Sequence, residues 1–254
     1  MLHCQGLRLS VADRTLCRDL TVTFEPGQIW AVLGRNGTGK STLIHTLAGV
    51  VPPAAGQVEL NGRPVHEFDT RLRARALGVL LQMEEGTFWG TVGAYVLLGR
   101  FAHTHGWSGY SYADHDAAHA ALAAVGMMDF AHRQFAMLSG GERQRVRLAQ
   151  VLAQAPAVFL LDEPLQHLDL GHQVRVLKLM AERARTQRET AVMVLHEPVW
   201  IRRSCTHALI LNGDGSTQGG TAEDILTLEH LEHAYGCRLR EIDHGQNRLF
   251  VPEV

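Results

Sequence analysis

Residues 34–42, which read GRNGTGKST, have the types and the spacing of a phosphate-binding loop. Gly34, Gly39, Lys40 and Ser41 fill the fixed positions of G-x-x-x-x-G-K-[ST]. Glycines let backbone N–H groups surround phosphate oxygens, the lysine adds a mobile positive charge, and a serine hydroxyl is a suitable Mg²⁺ ligand. The loop is followed by a helix-like stretch whose positive dipole end faces the same anion. We therefore expect a phosphate cradle formed by Gly34, Arg35, Asn36, Gly37, Thr38, Gly39, Lys40, Ser41 and Thr42.

Two acidic residues follow a short apolar run in 158–163, which reads VFLLDE. At the end of a buried strand, Asp162 could hold Mg²⁺ directly or through its water shell. Glu163 lies one residue further on, where it could act as general base on a water that attacks the γ-phosphate. The pair is a weak signal alone, but together with the cradle it predicts hydrolysis of a nucleoside triphosphate.

A second glycine motif, LSGGERQ, occupies 138–144 and is called the signature segment below. Ser139 is a good N-cap, and Glu142 stands at the capping-box position of an arginine-rich helix. Gly140 and Gly141 expose N–H groups at the first turn and so form a second anion-binding helix end. The two helix ends suggest one shared site, in which this second end serves a nucleotide held by another subunit.

The elements that must position these residues alternate between short apolar strands and helices, which is typical of a parallel α/β sheet. Such sheets place ligands at the carboxyl edge of the strands, where the polar residues fall. The predicted strands are 28–33, 78–81, 158–161 and 190–195, and the predicted helices are 40–48, 114–125 and one near 229–235. The stretch after Gly213 is turn-rich, and 239–251 reads as a final extended pair.

Composition excludes several classes of protein. The chain has 254 residues, 46% of them hydrophobic, and a net charge of −2, which argues against a strongly basic nucleic-acid binder. The longest nearly apolar stretches run about nine residues, about half of a membrane span. No secretory signal pattern is visible, and the four cysteines are too scattered for a zinc or redox pair. We expect a chain that stays in the reducing cytosol.

With these motifs in this order, the sequence resembles the ATP-binding cassette (ABC) ATPases, whose signature is LSGGERQ. The resemblance covers nearly the whole chain. It implies that Gln82 belongs to a loop that senses Mg²⁺ and the membrane partner, and that Leu168-Asp169 belongs to a loop that crosses a dimer interface. It also implies that His196, 34 residues after Asp162, is a switch histidine that contacts the γ-phosphate.

The resemblance implies an α/β fold: a P-loop NTPase of the ABC ATPase type. Its core sheet would be mostly parallel, with an antiparallel N-terminal β part and an inserted α-helical lobe. We expect 1–254 to form a single ABC ATPase domain. Within it, 1–85 and 137–236 would form the RecA-like core with its N-terminal β part, 86–136 the helical lobe and 237–254 a C-terminal extension.

The resemblance also implies a head-to-tail pair of chains, in which each ATP lies between the cradle of one subunit and the signature segment of the other. ATP and Mg²⁺ are the expected cofactors. The implied catalytic residues are Glu163, His196, Gln82 and Lys40, and the implied metal ligands are Ser41, Gln82 and Asp162. The implied nucleotide contacts are the cradle residues together with Ser139, Gly140, Gly141 and Asp169.

Residues 91–103 look like a segment of importers for iron-siderophores, haem and cobalamin, which typically carry Gly-Arg-aromatic-Pro-His. Here Gly99, Arg100, Phe101 and His103 fit, and Ala102 replaces the proline. The C-terminal stretch, with a short helix that ends at Tyr-Gly, resembles the same group. This implies membrane-spanning permease subunits as partners, a periplasmic binding protein that acts through them, no nucleic acid, and a place on the cytoplasmic face of the inner membrane.

Several points stay open at this level. Relatives carry an adenine-stacking aromatic near the position of Val11, but none lies between Met1 and Phe24, so we expect weaker adenine affinity or selectivity. His115 and His119, four residues apart, could begin a metal site but more simply form a solvated helix face. Alternatives to a chelate importer are another cargo or an exporter, a soluble ABC ATPase in translation or DNA repair, and a non-hydrolysing adaptor. The presence of Glu163 and His196 argues against the adaptor.

Overall fold

The computed structural model describes residues 1–82, 88–104, 109–244 and 247–253. The strands are β1 (Leu2–Val11), β2 (Arg14–Phe24), β3 (Ile29–Leu33), β4 (Ala55–Leu60), β5 (Arg63–Pro64), β6 (Leu77–Leu80), β7 (Val158–Leu161), β8 (Thr190–Val194), β9 (His207–Leu211), β10 (Thr217–Thr221), β11 (Leu239–His244) and β12 (Asn247–Pro252). The α-helices are α1 (Lys40–Leu47), α2 (Thr70–Ala76), α3 (Val92–Leu97), α4 (Tyr112–Ala124), α5 (Gly140–Ala153), α6 (Leu170–Gln187), α7 (Pro198–Ser204), α8 (Ala222–Ile225) and α9 (Leu228–Tyr235). Across these ranges, no helix is both long enough and apolar enough to span a bilayer.

The core is a six-stranded sheet with the order β10-β9-β3-β8-β7-β6, parallel except for β10. Every residue of β3, β7 and β8 is buried, as expected for strands covered on both faces. The four strands predicted from apolar runs agree with the structure to within one residue at each end. The prediction of a mostly parallel core sheet is therefore confirmed.

A second sheet contains the N-terminal part of the chain and is antiparallel, with the order β2-β1-β4-β5. Its buried face shares one apolar core with α1 and one face of the main sheet. Leu9 of β1, Leu43 and Leu47 of α1 and Val32 of β3 all belong to this core. The packing fixes α1, and with it the cradle, against the edge of the main sheet.

Helices fill the middle of the described chain, with α3 and α4 packed against α5 around Leu122, Phe135 and Val146. Ser111 and Ser139 each accept a hydrogen bond from the backbone N–H three residues on, in capping boxes that start α4 and α5. The boxes fix where both helices begin. An inserted helical part was expected here, and the structure confirms it.

The turn-rich interpretation after Gly213 is wrong for 217–221, which form β10 and pair with β9. Gly219 and Gly220 lower the strand propensity of this stretch. They are accommodated because a Cβ at Gly219 would lie 3.2 Å from a Leu209 methyl group. The extended pair expected at the C-terminus is present as β11 and β12.

Candidate functional site: a phosphate cradle at the carboxyl edge of the sheet

Four neighbouring strands of the core sheet end at the residues to which the sequence assigns chemistry. Because parallel strands end at a common edge, these residues converge there. The cradle follows β3, Gln82 follows β6 by two residues, Asp162 and Glu163 follow β7, and His196 follows β8 by two residues.

Glycine is required at two positions of the cradle. Gly34 has a φ of 138°, and a Cβ there would lie 2.3 Å from the Leu211 carbonyl oxygen. Gly39 has a φ of 103° directly before α1, where a Cβ would lie 2.9 Å from the Leu16 Cβ. The backbone of the loop therefore packs against the β-sheets and leads directly into the N-terminus of α1.

Lys40 is buried, and its Nζ donates hydrogen bonds to the carbonyl oxygens of Gly34 at 2.8 Å and Arg35 at 2.9 Å. Burial lowers the pKa of Lys40, and the nearby carboxylates of Glu163 and Asp162 oppose that shift. The ammonium group is thus fixed inside the cradle, between the loop carbonyls and the two acids.

Asp162 has the environment of a cation ligand. It is 1% exposed, and its carboxylate oxygens are buried with the Ser41 hydroxyl beside them. Burial raises the pKa of Asp162; repulsion from Glu163 adds to this rise, and the hydrogen bond with Ser41 and the charges of His45 and Lys40 oppose it. A buried carboxylate with so little hydrogen bonding is costly unless a cation shares the site, so Asp162, with oxygen ligands from Ser41 and Gln82, fits Mg²⁺.

Glu163 and His196 contact each other across the edge of the sheet. The His196 Nε2 lies 2.9 Å from a Glu163 carboxylate oxygen. Glu163 has a φ of 51°, a left-handed conformation that non-glycine residues rarely adopt and that is enriched at functional sites. The carboxylate can accept a proton, and the imidazole can orient it or donate to a phosphate oxygen.

The site contains two adjoining cavities that share Asn36, Gln82 and Glu163. The cradle cavity, of about 430 Å³, is lined by Val11, Arg14, Leu16, Asn36, Gly37, Gly39, Lys40, Ser41, Thr42, Gln82 and Glu163. The switch cavity, of about 490 Å³, is lined by Asn36, Gln82, Glu163, Leu165, Gln166, Gln173, Val194, Leu195, His196, Glu197 and Trp200. One chain thus brings the cradle, Gln82, Glu163 and His196 to one place.

The start of the signature segment, Ser139 to Gly141, does not line the two cavities of this site. Among the described residues, Ser139, Gly140 and Gly141 line neither cavity, and Ser139 and Gly140 are exposed at the start of α5. Asp169 is also exposed; it caps α6 by accepting hydrogen bonds from the backbone N–H and the imidazole of His172. These four predicted nucleotide contacts lie apart from the cradle of their own chain.

Comparison with known proteins identifies the family. The model of the ABC transporter family matches residues 17–166. The chain is 40% identical over 242 residues to the hemin import ATP-binding protein HmuV of Pseudomonas entomophila, covering 93% of this chain and 92% of that one. It is 35% identical over 242 residues to the ferric enterobactin transport ATP-binding protein FepC of Escherichia coli, covering 95% and 89%.

The chain belongs to the ABC transporter family. A solved structure described as an ABC transporter of metal-chelate type, in an inward-facing conformation, matches with a TM-score of 0.86 and 29% identity over 100% of this chain and 97% of that one. The dimeric ATP-binding cassette MJ0796 with ADP and phosphate matches in fold, with a TM-score of 0.77 and 22% identity over 87% and 99%. The expected ABC ATPase fold is confirmed, and the chain is an ATP-binding, ATP-hydrolysing subunit of this family.

In this ABC ATPase, most of the segment 99–103 packs inward. A Cβ on Gly99 would lie 2.1 Å from the Gln150 carbonyl oxygen. Arg100 bonds to Asp114 at 2.9 Å and to the Ala153 carbonyl oxygen at 2.9 Å. Phe101 is 59% exposed, with the Arg71 guanidinium 5.5 Å from its ring centroid. Phe101 is therefore a prominent apolar side chain that this segment exposes at the surface.

The possible metal site on α4 lacks one of its candidate ligands. Asp114 is buried and bonded to Ser111 and Arg100, whereas His115 and His119 are exposed. Across the described ranges, no group of three or more His, Cys, Asp or Glu side chains could hold a metal ion.

Two contacts at the rim of the site were not foreseen from the sequence. Arg14, the first residue of β2, lines the cradle cavity beside the exposed Val11, its partner on β1. The hydroxyl of Tyr235, at the end of α9, donates a hydrogen bond to the His196 carbonyl oxygen at 3.2 Å. Neither residue belongs to a local motif, so only the fold could reveal these positions. The expected weaker adenine selectivity stays a prediction.

Proposed function

We propose that the chain is the ATP-hydrolysing subunit of an importer for a metal chelate, and that two copies of it enclose ATP. One observation supports this proposal most directly. Glu163, paired with His196, lies beside the cradle and Lys40, while Ser139 and Gly140 of the signature segment are exposed and line neither cavity. A complete site then needs the signature segment of a second chain.

In this proposal the cradle holds the β- and γ-phosphates, and Lys40 supplies the positive charge inside it. Mg²⁺ would be held by Ser41, Gln82 and Asp162, and would neutralise charge on the phosphate oxygens. Glu163 accepts a proton from the attacking water, and His196 orients Glu163 and contacts the γ-phosphate. The burial of Asp162 beside Ser41 and the short contact between Glu163 and His196 support these roles.

The second copy contributes Ser139, Gly140, Gly141 and Asp169. The N-terminus of α5 offers N–H groups and the positive end of a helix dipole to the nucleotide of the partner chain. Ser139 and Gly140 are exposed and so available for that contact. ATP joins the two chains, and hydrolysis to ADP and phosphate removes the joint.

The membrane partner is a permease dimer on whose cytoplasmic side the chain docks. The segment 91–103 follows Gln82 along the chain, and Phe101 with its neighbour Leu98 is exposed there. The proposal includes a periplasmic binding protein that delivers the cargo to the permease, and a place on the cytoplasmic face of the inner membrane. Relatives named for ferric enterobactin and hemin transport support a metal chelate, with iron-siderophore, haem and cobalamin as the candidates.

The test rebuilds the chain with its permease and binding protein in liposomes and measures ATP turnover. We expect one metal chelate to raise turnover, and the metal-free chelator and an unrelated solute such as maltose to leave it unchanged. The complex with Glu163→Gln is the control and should not turn over with any solute. Stimulation by maltose, or by none of the chelates, would contradict the proposed cargo class.

A further inference from the structure

Helix α5 carries two polar side chains that reach the ends of two core strands. Gln144 is 3% exposed, and its Nε2 donates to the Glu163 carbonyl oxygen at 3.2 Å. Arg147 donates from Nη2 to the Leu81 carbonyl oxygen at 2.7 Å and from Nη1 to the Gln144 Oε1 at 3.1 Å. The result is a continuous chain of hydrogen bonds from Leu81 through Arg147 and Gln144 to Glu163.

The contact to Glu163 supports an unusual backbone conformation. A non-glycine residue at a φ of 51° persists only where its surroundings hold it there. The Glu163 carbonyl accepts hydrogen bonds from Gln144 and, at 3.1 Å, from the Gln166 backbone N–H. Because φ and ψ of Glu163 set the direction of its side chain, these two donors help to aim the carboxylate at the site.

The contact to Leu81 fixes the other strand. Leu81 directly precedes Gln82, which lines both cavities. An arginine can serve the Leu81 carbonyl and the Gln144 amide together because its guanidinium donates from a rigid planar fork. Tyr95 of α3 packs beside the same guanidinium; burial raises the pKa of its phenol, and the hydrogen bond with Arg147 opposes that rise.

We propose that Arg147 is a positioning residue for the ATPase reaction. It holds Gln82 through the Leu81 carbonyl and Glu163 through Gln144. The proposal rests on the roles proposed above for Gln82 as a Mg²⁺ ligand and Glu163 as the base. Arg147 itself lines neither cavity among the described residues, so it acts through these neighbours.

The first test is Arg147→Lys in the full-length chain, which keeps the charge and removes the fork. We expect kcat to fall at least tenfold while the KM for ATP stays within twofold, because the cradle is untouched. The Mg²⁺ concentration for half-maximal activity should rise at least threefold, because Gln82 loses its support. The matched control is Arg145→Lys on the same helix, where the guanidinium donates hydrogen bonds to the carbonyl oxygens of Val125 and Gly126, at 3.5 and 3.3 Å, and the substitution keeps the charge.

A second variant separates the two contacts. Gln144→Met removes the donor to Glu163 and leaves the hydrogen bond from Arg147 to Leu81. We expect kcat to fall again, but the Mg²⁺ dependence to stay like that of the unmodified chain. Turnover is expressed per bound nucleotide, so that a loss of folded protein does not count as a loss of positioning.

The proposal is overturned if Arg147→Lys keeps kcat within twofold of the unmodified chain at every Mg²⁺ concentration. It is equally overturned if only the thermal midpoint and the number of binding sites fall while turnover per bound nucleotide is unchanged. Failure of the proposed function gives a different result: Glu163→Gln would then retain turnover, whatever Arg147→Lys does.

Discussion

At the scale of single residues, Lys40 links the fold of the cradle to its chemistry. The same ammonium group satisfies two loop carbonyls and carries the charge that phosphate requires. Burial lowers its pKa, and Asp162 and Glu163 oppose this, so the positive charge is kept by neighbouring acids rather than by water.

We predict that Lys40→Ala weakens nucleotide binding itself. A hydrogen bond that involves a charged group contributes about 1.5–3 kcal/mol, so affinity for ATP should fall by about tenfold or more in titration calorimetry. The chain offers a matched control in Lys178→Ala, since Lys178 is exposed on α6. Unchanged affinity in Lys40→Ala would mean that the cradle is misassigned.

The residues of local motifs could be predicted from the sequence, because their spacing along the chain already encodes their geometry. Gly34 to Thr42 form a single loop that leads into the first turn of α1. The structure brings Lys40, Ser41, Asp162 and Glu163 together. Arg147 could not be foreseen, since it lies 66 residues from Leu81 along the chain. The inward packing of Gly99 and Arg100 could not be foreseen either, because a motif comparison interprets these residues only as contacts to a partner.

At the scale of elements, hydrogen bonds at the start of α4 connect this helix to Arg100 and, through Arg100, to the end of α5. Asp114 accepts hydrogen bonds from the Ser111 backbone and hydroxyl and from Arg100, and Arg100 also bonds to the end of α5. The hydrogen bonds from Ser111, followed by that from Arg100, lower the pKa of Asp114 from 3.8 to about 2. The charged form of Asp114 therefore stabilises the folded lobe.

We predict that Asp114→Asn lowers the free energy of unfolding at pH 7 by about 2 kcal/mol, through loss of the charged cap and of the partner of Arg100. Since the pKa is lowered in the folded state, this contribution is complete above about pH 4 and is lost as the pH falls through about 2. Urea unfolding at about pH 7, 4 and 3 should show the two proteins converging.

The control for this prediction is Asp116→Asn on the exposed side of the same helix, which should change stability by less than about 0.5 kcal/mol. A difference between the unmodified chain and Asp114→Asn that stays constant from about pH 7 to pH 3 would contradict the proposed origin of the stability.

Strands buried on both faces could be predicted closely, because a run of four or five apolar residues has few other places in a fold. Elements whose sequences mix signals could not be predicted in this way. Strand β10 contains two adjacent glycines, which lower strand propensity, yet it pairs with β9 along its whole length. The boundaries proposed for the RecA-like core, the lobe and the C-terminal extension stay predictions. The hydrogen bond from Arg147 to Leu81 joins the two stretches of chain assigned to the core.

At the scale of the whole molecule, the described chain keeps the cradle and the start of α5 apart. The cradle lies with Glu163 and His196, whereas the N-terminus of α5 is exposed. The first group was predicted from motif order and is assembled by the sheet edge. In the proposed dimer, the N-terminus of α5 of each copy would complete the nucleotide site of the other.

The mass of Glu163→Gln in solution with ATP and Mg²⁺, measured by size exclusion with light scattering, tests this claim most directly. An amide cannot accept the proton, so ATP should persist and hold two chains together. The control adds Gly140→Asp to the same chain. A Cβ there would lie 3.8 Å from His167, which is an ordinary van der Waals contact. An aspartate is favourable at a helix N-terminus, but it repels phosphate. We predict a dimer for Glu163→Gln and an ATP-binding monomer for the double variant. A monomer in the first case, or a dimer in both, would contradict the account.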